Sequence, residues 1–191
     1  DGEAQDGAVP VGSGDLYCPD RGFGFVTEKN RREQDGLKIS ELNSGFDTLY
    51  WYQDADLTKI GSDGDGCFFD SDGAVRTLDE KAGETQPGEH RRIPLSFKLD
   101  VPGQGNYRVT LTLRTGEPME NVLIFTGRRR LAFLGDIPAG TFTYAMTVNV
   151  CDIVPRGQTA VYEDKTLDIT VVADKPRFTA LSVEEVSCPT V

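Results

Sequence analysis

Histidine and tryptophan are nearly missing from this chain: 191 residues contain His90 and Trp51 and no other residue of either type. A lone histidine in the polar loop Gly88-Glu89-His90-Arg91-Arg92 is a poor start for Ser-His chemistry. No G-x-S-x-G elbow is present, and Gly61-Ser62-Asp63 has the wrong order for a Gly-Asp-Ser nucleophile block. Cysteine is sparse as well. Cys18, Cys67, Cys151 and Cys188 show no C-x-x-C spacing, so with one histidine they form no zinc set, and they are too few for a disulfide-built scaffold. Two bridges would have three connectivities. Cys151 with Cys188 is the favoured pair, since both follow late strands, and free buried thiols are an equal alternative. No apolar run reaches the length of a membrane-spanning helix. Positive charge is in deficit, with 20 Lys and Arg against 31 Asp and Glu for a net −11. That balance argues against nucleic acid and anionic membrane as partners. It also suits polyanionic pectin poorly unless local arginines or a bridging cation intervene.

What the chain does have is alternation. With 38% hydrophobic and 27% charged residues it has the composition of a globular protein. Leu95, Phe97, Leu99 and Val101 occupy odd positions; the phase resumes after Pro102-Gly103-Gln104-Gly105-Asn106 with Tyr107, Val109, Leu111 and Leu113. Phe142, Tyr144, Met146, Val148 and Val150 repeat it. Period two predicts strands with one buried and one wet face. Strands are expected over 93–101, 107–114, 120–126, 129–134, 142–150, 167–172 and 178–186. The fold class is all-β: a two-sheet antiparallel β-sandwich with long loops over 73–92 and 154–165. It forms a single domain over 20–191, preceded by a loose segment over 1–19. The start at Asp1 reads as processed or trimmed.

Three constellations are candidate sites. Asp63, Asp65, Asp70 and Asp72 lie in the Gly-rich run 62–73, where oxygen ligands would suit a structural calcium ion; solvated Asp-Gly turns are the commoner outcome of such a sequence. Tyr50, Trp51 and Tyr52 form the densest aromatic cluster and are candidates for stacking on sugar rings. In an extended segment Tyr50 and Tyr52 share one face and Trp51 takes the other. Arg128-Arg129-Arg130 opens a strand as an anion clamp or as a charged solvent face. Phe23 and Phe25 flank Gly24, a glycine that lets the backbone approach something closely. The many carboxylates give no positive sign of a glycosidase pair, and no cluster singles out a lyase base.

Several segments resemble the N-terminal galactose-binding-like domain of bacterial rhamnogalacturonan acetylesterase-like SGNH/GDSL hydrolases. They are Asp20-Arg21-Gly22-Phe23-Gly24-Phe25-Val26, the run 101–113 opening Val101-Pro102-Gly103-Gln104-Gly105-Asn106-Tyr107, Gly127-Arg128-Arg129-Arg130-Leu131, Thr147-Val148-Asn149-Val150 and the closing run 178–186. The resemblance implies a jelly roll that is not itself an enzyme. It would be a secreted, noncatalytic carbohydrate-binding-like module serving a plant cell-wall polysaccharide (pectin or hemicellulose) acetylesterase. Cys188-Pro189-Thr190-Val191 is similar to the start of the linker into that family's Gly-Asp-Ser block, so the esterase domain is expected downstream. The implied partners are a cell-wall glycan and the covalently linked esterase, with no required cofactor. The loops 62–92 and 152–165 are longer than the family pattern, and no binding residue is carried over. A structural domain packed on the esterase is the alternative reading, and a small lyase or hydrolase the third.

Overall fold

Where apolar and polar residues alternate, the chain forms strands. The computed structural model describes residues 8–26, 57–69, 93–127, 130–152 and 165–187. In chain order these hold β1 (Phe23–Val26), a 3-10 turn (Leu57–Lys59), β2 (Ile60–Asp63), β3 (Gly66–Phe69), β4 (Ile93–Asp100) and β5 (Gly105–Thr115). There follow β6 (Met119–Thr126), β7 (Arg130–Ile137), β8 (Gly140–Val150), β9 (Thr166–Ala173), β10 (Arg177–Phe178) and β11 (Ala180–Val186).

One antiparallel sheet has the order β1-β4-β9-β6-β7. The other described strands form β11-β5-β8 and β10-β3-β2. Only Thr179 separates β10 from β11, and its N–H donates to the Thr112 carbonyl at 3.1 Å. The two three-stranded pieces are thus joined through this strand, and the second layer reads β2-β3-β10/β11-β5-β8. The all-β antiparallel sandwich expected from the alternation is what the chain forms.

The inward rows of the layers meet in one core. From β5 come Tyr107, Val109, Leu111 and Leu113; from the facing sheet come Leu95 and Phe97 of β4, Ile169 and Val171 of β9, and Val122 and Ile124 of β6. Each such side chain contributes roughly 1.5–3 kcal/mol when fully buried. Phe25 meets Phe97 edge-on at 5.2 Å, and Phe178 closes the aromatic group 6.1 Å from Phe97. The crossing from β4 to β5 is held by the buried Tyr107, whose hydroxyl donates to the Gly103 carbonyl at 2.6 Å. A tyrosine bonded to backbone four residues upstream pins the turn that carries the chain between layers, as in the tyrosine corner of other sandwiches.

Gly24 does what its place between two phenylalanines suggested. Its φ is +147°, and a Cβ there would lie 2.4 Å from the backbone of Leu16 and Tyr17. The N-terminal segment therefore lies directly on β1, bonded through Phe25 N–H to Asp15 O and Tyr17 N–H to Phe25 O. Arg21 closes this loop, pairing with Asp15 at 2.7 Å and capping the Leu16 carbonyl. The part of 1–19 expected to be loose is, from Val11 onward, folded onto the sheet.

The structure also refines the expectations in detail. The 178–186 strand is broken at Thr179, because its two ends pair with different neighbours, β3 and β5. The Asp-Gly turn expected within 62–73 is there at 63–66, and it joins β2 to β3 in a hairpin whose four-residue strands were not expected. β4 and β9 are not wet on one side: Ser96, Lys98, Asp168 and Thr170 on their outer face are all buried, Lys98 to 1% exposure. Ser96 and Thr170 bond to each other at 2.7 Å, and Lys98 Nζ lies 5.0 Å from the Tyr17 ring, so these two strands carry a polar row under cover. Among the described residues Cys18, Cys67 and Cys151 form no bridge with one another; Cys188, the expected partner of Cys151, lies outside them.

Gly24→Ala should lower the unfolding free energy by at least about 2 kcal/mol, because the site is crowded and its positive φ is one that L side chains rarely adopt. Gly116→Ala, which meets open space, should stay within about 0.5 kcal/mol of the parent in the same urea titration.

Candidate functional site

The β2–β3 hairpin tip brings Asp63 and Asp65 together, but against arginines. Arg177 binds both Asp63 carboxylate oxygens, at 2.7 and 2.9 Å, while its guanidinium lies 4.9 Å from the Phe68 ring. Asp65 faces Arg114 at 3.8 Å and its carbonyl accepts the Thr179 hydroxyl at 2.6 Å. The same Thr179 oxygen accepts the Arg114 N–H at 2.7 Å. This network staples the hairpin to β5 and β10. Gly66 permits the approach, for a Cβ there would sit 2.0 Å from the Phe178 carbonyl oxygen. Asp70 and Asp72 lie outside the described residues. Among the described residues no three His, Cys, Asp or Glu side chains gather as a metal ion would require.

Tyr50, Trp51 and Tyr52 also lie outside the described residues, as do Arg128 and Arg129; Arg130 begins β7 and is exposed. A different aromatic group occupies the seam where edge strands β7 and β8 face each other. Phe133 packs against Phe142 and Tyr144, each at 5.3 Å, and the Phe142 and Tyr144 rings are nearly parallel. The Tyr144 hydroxyl donates at 2.7 Å to the carbonyl of Ala132, the residue extruded where the β6–β7 register slips. These rings are half-buried. Their signal in the sequence was the shared phase of Phe142 and Tyr144, read as core alone.

The outer face of β8-β5-β11 is an exposed polar surface. Because β5 and β8 stay in register from Gly105↔Val150 to Thr115↔Gly140, their outward side chains form continuous rows. Arg108 stands between Thr147 and Glu184, Thr110 between Ala145 and Ser182, and Thr112 between Thr143 and Ala180. Asn149 donates to the Asn106 side chain at 3.0 Å across the end of the array. Hydroxyl, amide and guanidinium groups at sheet spacing offer donors and acceptors on a rigid support. The even positions of 106–114 and odd positions of 141–149 carried this signal, which alternation labels only as solvent-facing.

The opposite sheet presents a contrasting surface beside β7. Leu131 and Leu134 are 48% and 61% exposed, and their register partners Phe125 and Leu123 on β6 are half-buried on the same face. Cys67, by contrast, is sealed under the hairpin, and burial pushes its thiol pKa up, which makes it the inert cysteine of the three.

No protein-family model matches the chain, and neither a curated protein nor a solved structure does.

The Arg177 guanidinium holds the Asp63 carboxyl below its ordinary value of 3.8. A depressed carboxylate contributes stability that is complete above 3.8 and vanishes as pH falls through the folded-state value. Asp63→Asn should therefore be less stable than the parent at neutral pH, with the gap closing only below that range. A constant gap in urea midpoints from pH 7 down to about pH 3 would show that the ion pair is not its cause.

Proposed function

We propose that this chain is a noncatalytic β-sandwich module that holds a cell-wall polysaccharide for a linked esterase of the SGNH type. The observation that carries the reading is the continuous outer face of β8-β5-β11, where Arg108, Thr110, Thr112, Thr147 and Asn149 are arrayed with Ala145 and Ala180 as the apolar side chains among their register partners. Sugar hydroxyls are donors and acceptors at once. A rigid array of hydroxyl and amide groups meets them without ordering a mobile loop, which keeps the entropic cost of binding low. Within this acidic chain Arg108 and Arg114 stand on the same outward row of β5. Each stands beside a carboxylate, Glu184 and Asp65, so charge on the face is locally balanced, which suits neutral glycans. The segments that resemble the acetylesterase accessory domain supply the turn pinned by Tyr107, the crowded Gly24 strand and the closing strand of the sandwich, which fits a galactose-binding-like scaffold in this role.

The exposed Leu131 and Leu134 favour a second reading, in which the module packs against the esterase and shapes its cleft. The two readings use different faces and separate by mutation.

Affinity electrophoresis through pectin, xylan and mannan should retard the parent chain in at least one gel. Arg108→Ala with Asn149→Ala should weaken retardation about tenfold or more, while Leu131→Ser with Leu134→Ser should leave it unchanged. Free migration in every glycan, combined with a melting temperature raised by the linked esterase and lost with the leucine variant, would favour packing over binding.

A further inference from the structure

We infer that β8 is a dimerisation edge, pairing antiparallel with β8 of a second copy of this chain. An edge strand exposes a row of backbone N–H and C=O groups, and folded proteins protect such edges with short length, charge, proline or a bulge. The other edges here carry those devices. β1 and β2 have four residues each, and β1 is crossed by the bridges from Leu16 and Cys18. β7 carries Arg130 and Asp136 and breaks register twice against β6. β11 carries Glu184 and Glu185.

β8 has none of them. It runs eleven residues, Gly140 to Val150, without a charge or a proline, in a chain where 27% of residues are charged. Its pairing with β5 is unbroken over its whole length, and no described strand lies beyond it. An uncharged edge suits a second copy in particular. At net −11 two copies repel, so contact is favoured where neither surface adds charge.

The strand is also self-complementary. Antiparallel pairing must set outward residues opposite outward ones, so odd positions face odd positions. The longest such register about a two-fold axis is centred on Ala145. It places Thr143 opposite Thr147 and Thr141 opposite Asn149 on the polar face. On the inner side Tyr144 meets Met146, and Phe142 meets Val148, combining ring–sulfur and ring–β-branched contacts. The half-buried seam rings beside the edge would then lose their remaining exposure. The dimer joins two β8-β5-β11 faces into one continuous six-stranded surface, an outcome that does not depend on what that surface binds.

Sedimentation equilibrium of the chain up to about 100 µM should show a reversible dimer. It should tighten as salt rises from about 0.05 M to about 0.5 M, because screening relieves the repulsion between copies. Thr143→Lys with Thr147→Lys sets like charges opposite each other and should raise the dissociation constant at least about tenfold, with far-UV dichroism and melting temperature checking the monomer fold. Directly paired Cα atoms lie about 4.5–5.5 Å apart, within disulfide reach. In a Cys18→Ser, Cys151→Ser background, Ala145→Cys should accordingly oxidise to a covalent dimer while Ala180→Cys should not. This readout stands even where the lysine pair fails to fold. A monomer at every concentration overturns the proposal, as does a dimer that survives the lysine pair or one that the Ala145→Cys thiol does not lock.

Discussion

The inward row of β5 is the constraint on which the other features depend. Tyr107, Val109, Leu111 and Leu113 are buried against side chains of β4, β9 and β6. Because side chains alternate strictly, burying that row fixes the outward row as well. Arg108, Thr110 and Thr112 face solvent because their neighbours do not. Tyr107 adds a second role, since its hydroxyl holds the turn that brings β5 into the opposite layer. The polar surface proposed to meet a glycan is thus the reverse side of the core.

The same logic governs how the hairpin and the N-terminal segment attach. Each docks where a glycine removes a Cβ that would collide with backbone, Gly24 under Leu16 and Tyr17, Gly66 under Phe178. Each is then secured by an arginine, Arg21 with Asp15 and Arg177 with Asp63. Exposed ion pairs alone add little stability. Their value here is positional: close backbone contact removes freedom first, and the bidentate arginine selects one arrangement of the turn. Asp63 and Asp65, which the sequence offered as calcium ligands together with Asp70 and Asp72, each face a guanidinium group, and the other two lie outside the described residues.

The two sheets also differ in what their outer faces are for. One is open and polar across β8-β5-β11. The other has buried polar residues at β4 and β9 and exposed leucines at β7. An uncharged edge at β8, unpaired among the described residues, borders the first, and a bulged, charged edge at β7 borders the second. Association through β8 would extend the polar face and leave the leucine face available for a linked domain.

Most of the strand pattern was legible from the chain alone. Seven expected segments became strands, because period two is a local property that one buried face imposes over five to eleven residues. The closing segment was the exception in detail, since Thr179 divides it between two partners and no local signal marks such a change of neighbour. The hairpin at Ile60–Phe69 escaped notice because four-residue strands leave too little alternation to read. Of the candidate sites, Gly24 was legible as a point of close approach, since a glycine between two aromatics in one strand has few other uses. The seam rings, the arginine partners of Asp63 and Asp65, and the cover over Lys98 were not, because each joins residues far apart in the chain. Sequence determined which residues turn inward, since that follows from alternation and composition. Tertiary structure alone decided which outward residues share a face, which edge is left unpaired and which charges meet, because those depend on the order in which strands assemble.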